Sequence, residues 1–237
     1  DRGHEALEQR VLDWLAGEFV RSGWSVKAMH RTLMLTDAYQ RSAATSVDNL
    51  KADANNVSLW RFQRRRLSAE EVRDSLLATS GDLDPTPGGG HPFPDSKTWG
   101  FTQHAPFVAT YDHNRRSVYL MTQRIRRHPF LALFDGTDPN TSTAARQTTT
   151  VPTQALFFLN DPFVHARADH FAGRLLTLPD DGARVDRVYR VMFGRAPRES
   201  EQKFVERFLA AAGADKKAAW ASLLRVLFGT NEFVYVD

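Results

Sequence analysis

Apolar residues recur at three- and four-residue steps through most of this chain, which predicts helices that each bury one face. The first predicted helix runs from Leu7 to Phe19, and the second runs from Val26 to about Ala44, after a stop at Gly23. These two helices form a predicted hairpin over residues 1–44. Residues 152–237 are predicted to be a helical C-terminal region, with helices at 153–159, 162–177, 184–193, 199–212 and 216–228.

Between these regions, residues 45–151 have a mixed pattern. Residues 45–58 are polar and lack periodicity, which predicts a loop. Ser68 and Glu71 have the spacing of a capping box, in which each side chain accepts a hydrogen bond from the other residue's amide, and they predict the start of a helix that ends at Gly81. Prolines and glycines dominate residues 84–95, so a long irregular loop is predicted there.

The mixed region also contains a candidate β element. The segment from Ser117 to Thr122 is rich in strand-forming residues, and the segment from Phe107 to Tyr111 is its candidate antiparallel partner. A short helix is predicted from Pro129 to Phe134. The predicted fold class is mainly α: a multi-helix domain with a small antiparallel β element and long irregular loops.

Composition excludes several kinds of chemistry. The 237 residues include no cysteine, which excludes disulfides, thiolate nucleophiles and cysteine-based metal sites. No run approaches the ~18 apolar residues of a membrane span, so none is predicted. With 31 Lys+Arg against 28 Asp+Glu, the net charge of +3 gives little attraction for phosphates. Nucleic-acid binding is therefore not predicted, although Trp60 to Arg66 interleaves aromatic and basic residues.

Histidines are the remaining candidates for metal binding and for base catalysis. Asp161, His165 and Asp169 fall at four-residue steps on one predicted helix face. His170 follows His165 by five residues and points elsewhere, so a solvated helix face is the favoured interpretation and no metal site is predicted. The chain also lacks the nucleophile and phosphate-loop motifs of common enzyme families.

The densest ionisable stretch is Tyr111 to Arg116. An aspartate beside His113 is suited to orient it as a base, and Arg115 and Arg116 are suited to bind a carboxylate, phosphate or sulfate group. A structural interpretation stays open, in which one of these arginines tethers the segment to Asp135 or Asp138.

Several segments share the order and spacing of a known family. They are Leu12–Ala16, Ser22–His30, Arg66–Asp74, Asn114–Tyr119, Leu133–Asp135, Thr149–Leu156, Leu159–Pro162 and Asn231–Tyr235. Over nearly its whole length the chain resembles the planctomycete-type domain of unknown function number fifteen fifty-three, which ends large proteins linked to a cytochrome c domain.

The resemblance implies one family domain over residues 1–237, truncated at its N-terminus and preceded in the parent protein by further domains. It also implies an exported protein with a periplasmic or other extracytoplasmic location. Haem c is expected only in a missing upstream domain, because this chain has no Cys-x-x-Cys-His motif and no cofactor is expected within it. The family carries no established reaction.

These observations lead to three hypotheses for function. The first is an accessory module that binds upstream domains of its parent chain or a ligand, such as a polysaccharide or an anion, because loops on a rigid scaffold often carry function. Its ligand-binding candidates, expected to converge on one face or pocket, are Asn114, Arg115, Arg116, Arg146, Gln154 and Asn160. The second is a hydrolase of an anionic glycan, in which Arg115, Arg116 and Arg146 hold the anion and His113 or Asp135 is the base. The third is a purely structural domain braced by Arg–Asp pairs.

Overall fold

In a computed structural model, the chain is described over residues 2–89, 97, 113–124 and 127–236. It divides into two compact units, one of residues 1–65 with residue 237 and one of residues 66–236. The described residues include eleven α-helices and a two-stranded antiparallel sheet. The predicted mainly α fold class is therefore confirmed.

The N-terminal unit contains helices α1 (Arg2–Arg21), α2 (Val26–Met34) and α3 (Val47–Ala52). Helices α1 and α2 contact each other across a turn at Gly23, where the positive φ of 68° suits a residue without a side chain. Ser25 caps α2, as its hydroxyl accepts a hydrogen bond from the amide of Ala28 at 3.2 Å.

The N-terminal unit differs from the prediction in two places. Helix α2 ends at Met34 and not near residue 44, and α3 lies inside the predicted loop 45–58. The short polar helix α3 has no apolar stripe to reveal it. It is stabilised at its ends, where Ser46 caps the first turn and Lys51 lies in the last.

Seven of the eight described helices of the C-terminal unit match the predicted spans to within a few residues, and the short helix at Asn231–Val234 was not predicted. In chain order they are α4 (Ala69–Ser80), α5 (Pro129–Leu133), α6 (Pro152–Asn160), α7 (Pro162–Leu175), α8 (Asp181–Phe193), α9 (Glu199–Ala211), α10 (Lys216–Phe228) and α11 (Asn231–Val234). The Ser68 capping box is present, and Gly81 ends α4 with a φ of 83°. None of the helices in the described ranges is long and apolar enough to cross a membrane.

Helix α7 lies at the centre of this unit, where it packs against α4 and α10. The side chains of Val164, Ala168 and Ala172 on α7 are fully buried, and the small alanines let the neighbouring helices approach closely. Trp220 on α10 is the largest of the fully buried side chains in the described residues. Helices α4 and α7 of this packed centre, together with α6, contribute residues to the site described below.

The β element differs from its predicted position. Residues Ser117–Tyr119 form a 3₁₀ turn instead of a strand, and the predicted partner at 107–111 lies outside the described residues. The amide and hydroxyl of Ser117 both donate to Asp74 Oδ1, at 2.7 Å each, so a helix side chain takes the place of a strand partner. The sheet instead pairs β1 (Arg65–Arg66) with β2 (Tyr235–Val236).

The predicted loop 84–95 is only partly within the described residues, which include 84–89 and leave out 90–95. The described part has no helix, and Asp84 forms an isolated parallel bridge with Arg115. This bridge fixes the segment around residues 113–116 next to the end of α4.

Candidate functional site

A cavity of about 590 Å³ lies among helices α4, α5, α6 and α7 and the segment at residues 113–114. Its volume is within the range of small-molecule sites, about 300–1,000 Å³. Two of the predicted site residues, His113 and Asn114, line it. Most of its other lining residues were not predicted from the sequence.

One wall of the cavity is aromatic. Phe130 on α5, Phe157 on α6 and Phe163 on α7 all line it. The ring of Phe130 lies 5.2 Å from that of Phe157, nearly perpendicular to it, and 6.2 Å from that of Phe163. Phe130 and Phe157 form an attractive edge-to-face pair, and the tilted ring of Phe163 extends the apolar surface.

The opposite wall is organised by Arg73 of α4, which is only 4% exposed. Its Nη1 donates to the Arg115 carbonyl at 3.1 Å and to the Ser117 hydroxyl at 3.3 Å, and its Nη2 donates to the His113 carbonyl. These bonds anchor segment 113–117, which has little regular structure of its own. The sequence signal for this role is the position of Arg73 on the buried stripe of α4, four residues after Ala69.

His113 itself is partly buried beside the cavity. Its Nε2 lies 3.1 Å from the Tyr119 carbonyl, and since a carbonyl only accepts, this contact assigns the hydrogen to Nε2. In the neutral ring, Nδ1 is then a hydrogen-bond acceptor. Nδ1 is buried and has no hydrogen-bond partner among the described residues.

Asn114 and Asp161 complete the polar part of the wall. Asn114 is exposed, and its carbonyl accepts from the Asp84 amide at 2.9 Å. Asp161 caps α7, and its Oδ1 accepts from the Phe163 amide at 2.8 Å. Within the described part of the chain, its second carboxylate oxygen makes no hydrogen bond.

Asp135, the second base candidate, is bound in a different place. Both of its carboxylate oxygens accept from Thr149, whose amide donates at 2.7 Å and whose hydroxyl donates at 2.9 Å. Asp135 also has a positive φ of 59°, a conformation that aspartate tolerates better than most residues. Its oxygens are thus engaged in holding the loop that precedes α6.

Replacing Asp135 by Ala is therefore expected to lower the free energy of unfolding by about 2 kcal/mol, because Thr149 loses its acceptors. Asp135→Asn is expected to cost less, since asparagine keeps one acceptor and tolerates the same backbone conformation. Urea denaturation measures both, with the exposed Asp169→Ala as control. A loss for Asp135→Ala no larger than the control's would contradict this role.

Gln154 of α6 belongs to the same bracing network and is 2% exposed. Its Oε1 accepts from Arg66 Nη2 at 2.8 Å, and its Nε2 donates to the Leu133 carbonyl at 2.9 Å. Arg66 also donates to the Thr149 carbonyl. Gln154 therefore ties α6 to the end of α5 and to the Thr149 loop.

Arg146 forms an ion pair with Glu70 on α4, with Nη2 at 3.1 Å from Oε1. Burial raises the pKa of Glu70, but the hydrogen bond and charge of Arg146 outweigh burial and hold that pKa below its usual range. The Arg146 side chain is 47% exposed, so the pair contributes no more than about 1 kcal/mol.

The lowered pKa of Glu70 gives a pH dependence with a definite sign. A carboxylate with a lowered folded-state pKa adds stability at pH values above its unfolded pKa, and that stability is lost as the pH falls through the folded pKa. Arg146→Gln is expected to be less stable than wild type near neutral pH and to approach it in acid. Thermal melting between neutral and acidic pH measures the difference, and a constant difference would contradict the assignment.

The side chains of the other predicted site residues take part in neither network. The side-chain Nδ2 of Asn160 donates to the Leu156 carbonyl of its own helix at 3.1 Å. Arg115 is partly buried and Arg116 is exposed, and neither guanidinium makes a hydrogen bond or ion pair within the described ranges. Thus the structure brings His113 and Asn114 to one cavity and Asp135 and Gln154 to another network, with Arg146 and Asn160 apart.

His165, which was predicted to share a helix face with Asp161 and Asp169, is held by hydrogen bonds within the fold. His165 Nδ1 lies 2.9 Å from Arg225 Nη1, and its Nε2 lies 2.8 Å from the Leu159 carbonyl, so both ring nitrogens are engaged. Among the described residues, no group of three or more histidines and carboxylates is placed to hold a metal ion.

Comparison with known proteins gives a family and no function. No curated protein and no solved structure matches the chain significantly. The model of a family described as "PSD1: Protein of unknown function (DUF1553)" matches residues 1–209. Because this match covers most of the 237 residues, the chain belongs to the DUF1553 family of proteins of unknown function.

Proposed function

We propose that this chain is an accessory module that binds a small, ring-containing ligand in the cavity beside His113. One observation carries the proposal: a cavity of about 590 Å³ combines a wall of phenylalanine rings with polar side chains that converge from other elements. Apolar lining with a few placed polar groups is typical of small-molecule sites.

Binding is favoured over hydrolysis because the candidate catalytic groups are separated or engaged. Asp135 accepts from Thr149 with both oxygens, and Arg146 is paired with Glu70. A glycan hydrolase needs an acid and a base on opposite sides of the scissile bond. His113 and Asp161 both line the cavity, but Asp161 is committed to capping α7 through one of its oxygens.

The wider setting of the module is proposed from the family resemblance. We place it at the end of a larger, exported, cytochrome c-linked protein of the planctomycete type, in the periplasm or another extracytoplasmic compartment. Haem c then belongs to an upstream domain, and the partners are those upstream domains or a polysaccharide or anionic ligand. Purification of the natural parent protein, followed by a haem-stained gel and cell fractionation, tests this setting.

Ligand binding in the cavity is tested by saturation-transfer NMR with three simple ring probes: cyclohexanol, phenol and benzoate. Asn114→Trp places a large ring at the exposed edge of the cavity and is expected to weaken probe binding about ten-fold. Val118→Trp is the matched control, because Val118 is 75% exposed and does not line the cavity. Failure of every probe to bind, or equal binding by wild type and Asn114→Trp, would overturn the proposal.

A further inference from the structure

We infer that the ligand of this cavity is a neutral ring compound that carries hydroxyl groups, such as a cyclic polyol or a monosaccharide unit. This inference rests on the proposed function and adds the chemical class of the ligand. It follows from three features of the described lining: the acceptor atoms that are left without a partner, the balance of charge, and the apolar wall of phenylalanine side chains.

Two of the lining residues have an acceptor atom without a hydrogen-bond partner among the described residues. His113 Nδ1 is an acceptor in the neutral ring, because Nε2 donates to the Tyr119 carbonyl. Asp161 has one carboxylate oxygen that makes no hydrogen bond within the described ranges, since only Oδ1 contacts the Phe163 amide. A ligand that supplies O–H donors satisfies both residues. Because Nδ1 is buried, the His113 ring has to turn for that contact, whereas Asp161 is partly exposed.

The N–H groups of Arg73, by contrast, already donate hydrogen bonds within the protein. Arg73 directs three hydrogen bonds at the His113 carbonyl, the Arg115 carbonyl and the Ser117 hydroxyl. An incoming carboxylate or sulfate group would have to replace these bonds, and each carbonyl left without a donor in a buried position costs about 1–3 kcal/mol. Arg73 is therefore a positioning residue for the wall and is poorly suited to bind an anion.

Formal charge in the lining also balances. Arg73 and Asp161 are the arginine and the carboxylate among the described lining residues, and their charges cancel. Arg167 lies over the outer part of the wall, 5.3 Å from the ring of Phe163, but it forms an ion pair with Asp82 at 2.9 Å. An anion would meet the carboxylate of Asp161, and a cation would meet the guanidinium groups that already lie over Phe163. A neutral ligand avoids both costs.

The shape of the wall suits a ring. Phe130 and Phe157 contribute most of the apolar surface on which the C–H face of a saturated ring packs, because the guanidinium groups of Arg73 and Arg167 already lie over the ring of Phe163. The acceptors of His113 and Asp161 then meet hydroxyl groups on the edge of that ring. A compound with one apolar face and several edge hydroxyls matches both features at once.

Titration of NMR chemical shifts tests this class with myo-inositol, glucose and glucuronate as probes. We expect myo-inositol and glucose to bind with dissociation constants of about 1 mM, a strength suited to small ligands with few contacts. Glucuronate differs from glucose by one carboxylate, and we expect it to bind about ten-fold more weakly because of the Asp161 charge. Equal or tighter binding of glucuronate would overturn the inference.

Asp161→Asn tests the acceptor role and keeps the helix cap, because asparagine caps helices as well as aspartate does. We expect this variant to bind glucose more weakly than wild type does. We also expect a smaller difference in dissociation constant between glucose and glucuronate. Asp169→Asn, on the exposed face of the same helix, is the matched control and should change neither. If Asp161→Asn bound glucose as wild type does, the inference would be wrong.

The outcomes separate this inference from the function on which it rests. Binding of cyclohexanol in the cavity, with no binding of glucose or myo-inositol, would refute the hydroxyl-rich class and leave ligand binding intact. Failure of cyclohexanol, phenol and benzoate together with the polyols would refute ligand binding itself.

Discussion

Arg73→Ala is expected to lower the free energy of unfolding by about 3 kcal/mol, since the removal of a buried charged donor leaves its partners unpaired. Arg73 is 4% exposed and donates to two carbonyls and the Ser117 hydroxyl. Its guanidinium also lies 5.7 Å from the ring of Phe163, a contact that the variant loses as well. Denaturation in urea, followed by circular dichroism, measures the loss.

Arg116→Ala is the matched control for this variant, because Arg116 is exposed and lies in the segment that Arg73 anchors. We expect it to change stability by less than about 0.5 kcal/mol. Arg73→Lys should fall between the two, since lysine keeps the charge but cannot present the same fork of donors. If Arg73→Ala lowered the free energy of unfolding no more than Arg116→Ala does, the cavity wall would not depend on Arg73.

Gln154→Ala is expected to lower the free energy of unfolding by about 2–3 kcal/mol, which urea denaturation measures. Gln154 is 2% exposed and joins Arg66 to the Leu133 carbonyl through its two amide atoms. Its loss leaves the partly buried Leu133 carbonyl without a donor and Arg66 without one of its acceptors. Because this network lies beside α5, we also expect looser packing of the Phe130 ring against the cavity.

Asn160→Ala is the control for Gln154→Ala, since Asn160 lies on the same helix but is exposed, and among the described residues its side chain donates only to a carbonyl of that helix. We expect it to change stability by less than about 0.5 kcal/mol. Both residues belong to the same predicted group of ligand-binding candidates. A large loss for Asn160→Ala, or a negligible one for Gln154→Ala, would contradict the roles that the structure gives them.

The helices of this fold are predictable from the sequence because each buries a stripe of apolar residues. The capping box at Ser68 and the stop at Gly81 act through neighbouring residues alone, so sequence spacing reveals them. The segment after Arg116 is different. Its strand-like composition is overridden by Asp74, which is far away in sequence and binds Ser117 through both amide and hydroxyl.

The candidate site is less predictable, for the same reason. His113 and Asn114 stand out in the sequence because they lie in a dense polar stretch. Phe130, Phe157 and Phe163 look like ordinary core residues, and only the packing of α5, α6 and α7 brings them to one wall. Asp135 and Gln154 look like functional residues, but long-range hydrogen bonds to Thr149 and Leu133 give them a bracing role.

Binding of a ring compound against the three phenylalanines is the central claim, and ¹⁹F NMR tests it most directly. Protein labelled with fluorophenylalanine is titrated with cyclohexanol, and the resonances of Phe130, Phe157 and Phe163 are assigned by substitution with leucine. We expect these three resonances to shift in a saturable manner, and we expect Asn114→Trp to need about ten-fold more cyclohexanol for the same shifts. Saturable shifts confined to other phenylalanines, or none at all, would contradict the account.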